Sequence, residues 1–247
     1  MRLLTVNLHC RQEGTWRENL GILSDFIAQQ SIDVIALQEC AQPLGDERLS
    51  VDNDVVILQQ SLNNCGLQYQ AHWTINHVGF GVWYEGLGLL TRFGFERIKE
   101  IQISETSDIN NWQTRRAQLA TISTPDKDIT LCNLHLGIEG RATSELQRLC
   151  DSADLSNAIV VGDFNIADTS FDYHRMCEML QKPDIYAELI KRSDPTFFPG
   201  AHGWDVQKGE RIDYVFGRGA TSIQRVFTGH LSPRISDHMG LLVDFGF

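Results

Sequence analysis

The chain has 247 residues, of which 42% are hydrophobic, and its formal net charge is −11. A chain of this length and composition can bury a full core, and it fits one large domain, residues 1–247, better than two small ones. The acidic balance disfavours tight, non-specific binding to nucleic acid, because such binding depends on Lys and Arg to neutralise phosphates. It leaves open a nuclease whose cleft is locally basic or carries its own cations.

The sequence also indicates the cellular setting. The longest apolar runs are only a few residues, whereas a membrane-spanning helix needs roughly 20. The single basic residue near the N-terminus, Arg2, is followed directly by a strand pattern, which is not typical of a secretory signal. The six cysteines form no Cys-x-x-Cys pair, so we interpret them as reduced packing residues, and structural zinc is disfavoured. We expect a cytoplasmic protein without a membrane partner, and nothing indicates a protein partner.

The first half of the chain alternates strands with two helices. Residues 2–7 read as a strand, and Thr15 with Glu18 fits a capping box that opens an amphipathic helix. The short apolar run 34–37 is typical of a strand covered on both faces. A second helix is predicted near 51–63, followed by strand-like stretches near 68–74, 79–84, 87–91 and 95–103.

The second half continues the mixture. Strands are predicted at 116–122 and 128–136, helices near 141–151 and 172–181, a buried strand at 159–161, and closing strands at 212–217, 222–227 and 239–245. Helices are thus interspersed among many strands with short, hairpin-like links. This pattern favours mixed sheets packed face to face with helices outside, rather than a parallel doubly wound sheet.

Three less patterned segments interrupt this scaffold near the polar motifs, at about 40–50, 104–114 and 194–211. Such segments are the expected walls of a substrate cleft. The side chains in and beside them that could contact a substrate are Trp112, His202, Trp204, Arg115, Arg116, Lys208 and Arg211.

Two side chains near the first strands are candidate metal ligands. Asn7 and Glu39 each follow an apolar strand and offer one amide oxygen and one carboxylate. Mg²⁺ and Mn²⁺ prefer such oxygen ligands and usually retain waters, so few protein ligands suffice. The alternative for Asn7 is a turn residue at a strand end. Glu39 follows four apolar residues and Gln38, which is a poor place for an ordinary surface group.

A second pair of oxygen-bearing side chains follows the buried strand at 159–161. Asp163 and Asn165 are two residues apart, so in extended backbone their side chains project to the same side. Together they could orient a water and hold a phosphoryl oxygen. The alternative is an Asx turn after the strand.

Two histidines are candidates for proton transfer. His238 directly follows Asp237, and because neighbours in extended chain face different ways, we expect its partner to be Asp213 instead. Asp213 lies inside an apolar strand, where an unpaired acid would cost several kcal/mol. A His–Asp pair would position the imidazole for proton transfer. His135 ends an alternating strand, and the alternative for it is a structural histidine.

Two further charged residues stand near the predicted cleft. Arg115 precedes an apolar strand and could fork onto a phosphate, or it could be a solvated charge at a strand start. Glu85 is the remaining carboxylate placed to support the metal or a histidine.

These motifs, taken in order along residues 2–245, resemble the endonuclease/exonuclease/phosphatase superfamily. The residues that carry the resemblance are Asn7, Gln38-Glu39, Gly88-Leu-Leu-Thr-Arg92, Asn133-Leu-His135, Gly162-Asp-Phe-Asn165, Ile212-Asp213-Tyr214 and Ser236-Asp237-His238. The resemblance implies an α+β fold, a four-layer α/β/β/α sandwich of two mixed sheets, with the site at one edge of the sheets. It also implies a phosphoester hydrolase that uses Mg²⁺ or Mn²⁺.

The resemblance further implies a role for each matching residue. Asn7, Glu39 and Asp237 look like the metal environment, and His238 with Asp213 looks like the base that activates water. Asp163 and Asn165 look like the pair that positions water and phosphate. His135 looks like a second histidine on the phosphate oxygens, supported by Glu85, and Arg115 like a phosphate-binding arginine.

The resemblance leaves the substrate open. The segment His202-Gly203-Trp204 is most similar to small bacterial members that act on sugar phosphates, so Trp204 is a predicted substrate contact. We therefore predict a phosphatase that acts on a small organic phosphate, and a nuclease is the alternative. A non-catalytic binding module on the same fold is a further alternative, although no expected ligand position carries a neutralising substitution.

Overall fold

The structure, a computed structural model, describes residues 1–45, 47–199, 209–229 and 233–246. In these ranges the chain forms eleven β-strands and five α-helices. The strands are β1 Arg2–Asn7, β2 Val34–Pro43, β3 Gln70–Gly79, β4 Trp83–Thr91, β5 Gly94–Gln102, β6 Arg116–Ser123, β7 Asp128–His135, β8 Ala158–Asp163, β9 Asp213–Phe216, β10 Ala220–Val226 and β11 Gly240–Phe245. The helices are α1 Trp16–Gln30, α2 Asp54–Asn64, α3 Ala142–Ser152, α4 Phe171–Leu180 and α5 Ile185–Ile190.

The strands form two mixed sheets. One has the order β10-β11-β1-β2-β4-β3 and the other the order β5-β6-β7-β8-β9. Each sheet contains one parallel pair, β1 with β2 and β7 with β8, and the remaining pairs are antiparallel. This arrangement confirms the predicted four-layer α/β/β/α sandwich. No helix of the described residues is long and apolar enough to span a membrane.

Three layers of buried apolar side chains hold the sandwich together: one lies between the two sheets, and one lies between each sheet and its helices. Neighbouring residues of one strand belong to different layers. Leu3 packs between the two sheets, whereas Leu4 packs under α1 and α2. In the second sheet, Val161 faces the other sheet and Val160 faces α3 and α4. Side chains alternate between the faces of a strand, so a strand covered on both faces must be apolar at every position. This explains the short continuous apolar runs of the sequence.

A buried polar network joins the two sheets beside the polar motifs. Asn133 Nδ2 donates to the Leu37 and Gly88 carbonyls at 3.1 Å each and to Gln118 Oε1 at 3.0 Å. Gln38 Nε2 donates to Asn133 Oδ1 at 2.7 Å. Because unpaired polar groups are costly in a core, this network strongly favours one alignment of the sheets.

Several local predictions differ from the structure. The capping box at Thr15 does not form, since the hydroxyl of Thr15 donates to the Asn19 side chain rather than capping a backbone N–H. The second helix begins later than predicted, at Asp54, because the Asn53 side chain accepts from the Val55 N–H and caps it. The stretch predicted as a strand at 79–84 instead contains the end of β3, a turn and the start of β4, and β4 continues through the strand predicted at 87–91.

Two short elements were not predicted. Helix α5 has only 6 residues, too few to show a helical period, and it is started by the Asp184 side chain, which accepts from the Tyr186 and Ala187 N–H groups. A 3₁₀ turn at His9–Arg11 follows β1, and its residues have left-handed backbone angles.

Candidate active site

One cavity of about 500 Å³ gathers most of the predicted site residues where β2, β7 and β8 carry their polar side chains. Eight of them line it: Glu39, Glu85, Arg115, His135, Asp163, Asn165, Asp237 and His238. Asn7 and Asp213 lie behind this wall and are hydrogen-bonded to residues of it. Trp204, the remaining predicted contact, lies outside the described residues, as do His202 and Lys208.

The predicted pairing of His238 with Asp213 is present. His238 Nδ1 lies 2.9 Å from Asp213 Oδ2, and its Nε2 lies 3.7 Å from Asp163 Oδ2. Burial lowers the pKa of His238, but Asp213, Asp163 and Asp237 outweigh burial and raise that pKa to about 10. Burial, together with the charge of Asp213, raises the pKa of Asp163 to about 7. The imidazole Nε2 and the Asp163 carboxylate therefore lie side by side in the cavity wall, where either could exchange a proton with a ligand in the cavity.

Asp163 and Asn165 face the same cavity, but not through extended backbone. Asn165 has φ 50°, and its N–H donates to Asp163 Oδ1 at 2.9 Å, which is the Asx turn considered as the alternative. The turn brings the Asn165 amide to 3.2 Å from His135 Nε2 and 2.8 Å from the Leu136 carbonyl. The Asx turn and a substrate-positioning role are therefore compatible.

Glu39 lies inside a strand and not after one, because β2 continues to Pro43. The pairing of β2 with β4 shifts between Leu37 and Cys40, and Glu39 has φ 51° at this bulge. A bulge adds a residue to one strand and turns its side chain out of the alternating pattern. The carboxylate of Glu39 accepts from Asn7 Nδ2 at 2.9 Å. The same Asn7 amide donates to Asp163 Oδ2 at 3.0 Å.

Two clusters of metal-type ligands occur among the described residues. Glu39, Glu85 and His135 form one, and Asp163, Asp213 and His238 form the other, with the ligand atoms of each cluster within 4.8 Å of one another. Asp237 belongs to neither cluster. Its Oδ1 lies 3.5 Å from Nδ1 of His9, and its side chain lines the cavity.

Arg115 lies in the cavity wall and is held by a histidine that the sequence analysis missed. Arg115 Nη1 donates to His77 Nδ1 at 2.9 Å and to the Trp112 carbonyl at 2.7 Å. Arg115 Nε is buried and has no hydrogen-bond partner among the described residues. Burial and the charge of Arg115 lower the pKa of His77 to about 3, so this imidazole is neutral. A guanidinium in the wall of a cavity is suited to a phosphate oxygen.

The position of His77 fixes its tautomer. An arginine can only donate, so Nδ1 of His77 is the acceptor and the ring proton lies on Nε2. That Nε2 is 3.6 Å from Glu85 Oε1. Glu85 therefore has His77 as an imidazole neighbour as well as His135. No sequence pattern singled out either histidine. His77 follows a bulge in β3, where the pairing with β4 shifts between Ile75 and His77, and His9 comes two residues after Asn7.

Two arginines named as cleft cations do not line the cavity. Arg211 is buried, with Nη1 2.6 Å from Asp184 and Nε 2.9 Å from Asp168. Arg116 donates its guanidinium to the Ile75 carbonyl. Both side chains serve the scaffold, so among the predicted cleft cations that are described, Arg115 alone lines the cavity.

Glu85→Gln is expected to stabilise the cation-free protein at about pH 9, by on the order of 2 kcal/mol, because it removes a buried negative charge. Burial and the charge of Glu39 raise the pKa of Glu85 from 4.5 to about 8. The folded protein therefore holds this proton more tightly than the unfolded chain does. The stabilisation that comes from protonated Glu85 is fully present below the pKa of this group in the unfolded chain. It is lost as the pH rises through about 8, the pKa of Glu85 in the folded protein.

Urea unfolding in EDTA at about pH 5 and about pH 9 measures this effect. The variant should gain stability over the wild type at the higher pH and little at the lower one. Glu178→Gln, at an exposed position of α4, is the matched control and should gain nothing at either pH. Equal unfolding free energies of wild type and Glu85→Gln at about pH 9 would contradict the conclusion that Glu85 is buried with a raised pKa.

Comparison with known structures supports the fold. An endonuclease/exonuclease/phosphatase family protein from Leptotrichia buccalis has a TM-score of 0.89 and 26% identity, with 100% of both chains covered. The 3′ phosphatase NExo from Neisseria bound to product DNA hairpin has a TM-score of 0.71 and 15% identity, also over 100% of both chains. The human Nocturnin catalytic domain with bound sulfate anion has a TM-score of 0.69 and 18% identity, with 100% of this chain and 93% of that one covered. The last two likenesses concern the fold alone.

The sequence comparisons agree with the structural ones. A search of curated proteins finds no match to the chain. The profile of the Endonuclease/Exonuclease/phosphatase family matches residues 4–238, which include all the side chains that line the cavity. The chain therefore belongs to the endonuclease/exonuclease/phosphatase family and is a metal-dependent phosphoester hydrolase.

Proposed function

We propose that the protein is a phosphatase that hydrolyses a small organic phosphate, such as a sugar phosphate, with Mg²⁺ or Mn²⁺ as its cation. The observation that carries this proposal is one cavity of about 500 Å³ that is lined by Arg115 and by residues of both ligand clusters. A cavity of this size is within the range of small-molecule sites. Its groups suit a phosphate at the floor and an organic group towards the mouth.

The residues present fit a divalent cation of this kind. Glu39 and Glu85 offer carboxylate oxygens beside His135, and Asp163 and Asp213 offer them beside His238. Such oxygen-rich sets favour Mg²⁺ or Mn²⁺ over softer metals. A bound cation would neutralise charge on the phosphoryl oxygens and make the phosphorus a better target for water. Asn7 and Asp237 stay candidate contributors to this environment.

The chain's own side chains would then divide the remaining tasks. Asp213 orients the His238 imidazole, and His238 with Asp163 moves a proton to or from the attacking water or the leaving oxygen. We assign Asn165 and His135, whose side chains are 3.2 Å apart beside the ends of β7 and β8, to the positioning of the phosphoryl group. Arg115, which lines the cavity, donates from its guanidinium to another oxygen. No covalent enzyme intermediate is expected, since no Ser or Cys lies among the cavity residues.

The acidic charge favours a small substrate over nucleic acid. A nuclease tracks a long phosphate backbone and needs several cations along its groove. Of the chain's cations, Arg115 lines the described cavity, and the net charge is −11. The alternative is a phosphatase or nuclease that acts on DNA or RNA, which the likeness to a DNA-bound 3′ phosphatase keeps in view.

All six cysteines are free, which supports a reducing, cytoplasmic setting.

A comparison of kcat/KM values tests the proposal. Phosphate release is measured with sugar phosphates, nucleotides and phospholipid head groups, and cleavage with plasmid and oligonucleotide DNA, each with Mg²⁺ and with EDTA. We expect the sugar phosphates to be turned over most efficiently, with weak dependence on salt because few phosphate contacts are made. Efficient cleavage of DNA together with negligible phosphate release from the small molecules would favour the nuclease instead.

A further inference from the structure

We propose that an apolar rim at the mouth of the cavity, formed by Phe80, Trp112 and Ile138, binds a ring-shaped organic group of the substrate through an apolar face of that ring. The inference rests on the proposed function and names the kind of ester that the site prefers. The ring can come from a sugar or from an aromatic group, and the experiment below separates these two sources.

The rim is unusual because it exposes large apolar side chains beside a highly charged site. Phe80 is 73% exposed, Trp112 is 43% exposed and Ile138 is 45% exposed, and all three line the same cavity as Glu39 and Arg115. Contiguous exposed apolar side chains on a soluble protein mark binding sites. The rim is continuous with the phosphate-type end of the cavity, so its natural occupant is the rest of the same substrate.

Phe80 occupies a turn position that suits its backbone poorly. It has φ 51° and precedes Gly81 with φ 69°, and the Val82 N–H donates to the Gly79 carbonyl at 3.0 Å. A β-turn with positive φ at both central residues favours Asn-Gly at those positions, and a bulky residue there is strained. Phe80 belongs to none of the buried core clusters and is mostly exposed, so its ring is free to contact a ligand.

Trp112 is held in a fixed relation to the phosphate end. Its carbonyl accepts from Arg115 Nη1 at 2.7 Å, and the guanidinium of Arg141 lies 4.5 Å from the centroid of its ring. The loop that carries Trp112 is anchored to β3, since the Val78 N–H donates to the Ile109 carbonyl at 2.6 Å. The indole is therefore set a short way from the arginine that would hold the phosphate. A rigid aromatic face is suited to packing on a ring.

The size of the cavity limits what the rim can hold. A volume of about 500 Å³ accommodates a phosphate and one or two rings. A flexible acyclic phosphate would fill the charged end and leave the rim uncovered. The structure therefore predicts discrimination between cyclic and acyclic esters that carry the same phosphate.

The test compares kcat/KM for phenyl phosphate, glucose 1-phosphate and glycerol phosphate in four proteins: wild type, Phe80→Asn, Trp112→Ala and the control Phe171→Ala. Phe171 is 78% exposed and lies at the start of α4, away from the cavity. Phe80→Asn introduces a residue that the turn favours, so its melting temperature should not fall. Trp112→Ala keeps the carbonyl that holds Arg115.

We expect Phe80→Asn and Trp112→Ala each to lower the ratio of cyclic to acyclic kcat/KM by roughly fivefold to tenfold, whereas Phe171→Ala should leave the ratio unchanged. A loss with phenyl phosphate alone would assign the rim to aromatic rings, and a loss with glucose 1-phosphate alone would assign it to sugars. An unchanged ratio in both rim variants would overturn the inference. Binding to phosphatidylcholine vesicles that depends on Phe80 and Trp112 would also overturn it, because the rim would then contact lipid.

Failure of the proposed function is distinguishable from failure of this inference. If none of the three esters is hydrolysed, the proposed function is wrong, and calorimetry with phenylphosphonate and methylphosphonate then tests the rim alone. Weaker binding of phenylphosphonate, but not of methylphosphonate, to the two rim variants would support the rim. Equal affinities of both ligands for wild type and variants would refute it.

Discussion

Alanine at His238 or at Asp163 is expected to lower kcat by at least ~100-fold, the size typical of lost proton transfer, with a much smaller change in KM. His238 Nδ1 is 2.9 Å from Asp213 and its Nε2 is 3.7 Å from Asp163, so both side chains meet at the same point of the cavity. Asp213→Asn should act in the same direction but less severely, because it keeps a group that can orient the ring. Steady-state and single-turnover kinetics at saturating cation measure these effects.

The matched control is His174→Ala. His174 is an exposed histidine of α4 that lies outside the cavity, so kcat should stay at the wild-type value. Thermal unfolding shows whether each variant retains its fold. Near-normal kcat in His238→Ala, or a phosphoenzyme trapped in a single turnover, would contradict direct attack by water assisted by this pair.

Activity is expected to disappear in EDTA and to return with Mg²⁺ or Mn²⁺, and Glu39→Ala should raise the cation concentration needed for half-maximal activity by roughly tenfold or more. Glu39 lies with Glu85 and His135 in a cluster whose ligand atoms are within 4.8 Å of one another. Removing one carboxylate leaves fewer oxygen ligands for the cation. The fold should persist, because the Glu39 side chain faces the cavity rather than the apolar core.

Titration of activity with Mg²⁺, together with direct measurement of Mn²⁺ binding, tests this prediction. Glu178→Ala removes an exposed carboxylate elsewhere on the surface and should not change the cation requirement. Wild-type activity of Glu39→Ala at limiting Mg²⁺ would refute the role of Glu39 as a ligand.

Much of the fold could be predicted from the sequence, because buried strands have a local signature. Continuous apolar runs such as residues 159–161 arise where both faces of a strand are covered, as in β8. The pairing of His238 with Asp213 was predictable for a related reason, since an acid in an apolar strand needs a partner. The family could also be predicted, because its motifs are spread in order along the chain. The match of the family model to residues 4–238 confirms this prediction.

Other features depended on how the chain pairs with itself. The bulge at Glu39 is visible only in the register of β2 against β4, and its local sequence resembles an ordinary strand end. The Asx turn at Asn165 replaced the extended backbone that spacing suggested. The predicted capping box at Thr15 was wrong, because the Thr15 hydroxyl donates to the Asn19 side chain and does not cap a backbone N–H.

By itself, the sequence determined the class of fold, the positions of most strands and the carboxylates, amides and histidines from which a phosphoesterase site can be built. Only the tertiary structure decided which of these side chains meet. Gln38 and Asn133 are far apart in the chain, yet their hydrogen bond helps align the two sheets. That alignment places His77 against Arg115 and leaves Arg211 in the scaffold. Strand periodicity is local, whereas the partner of a side chain at a sheet edge depends on strand order and register, which no short pattern encodes.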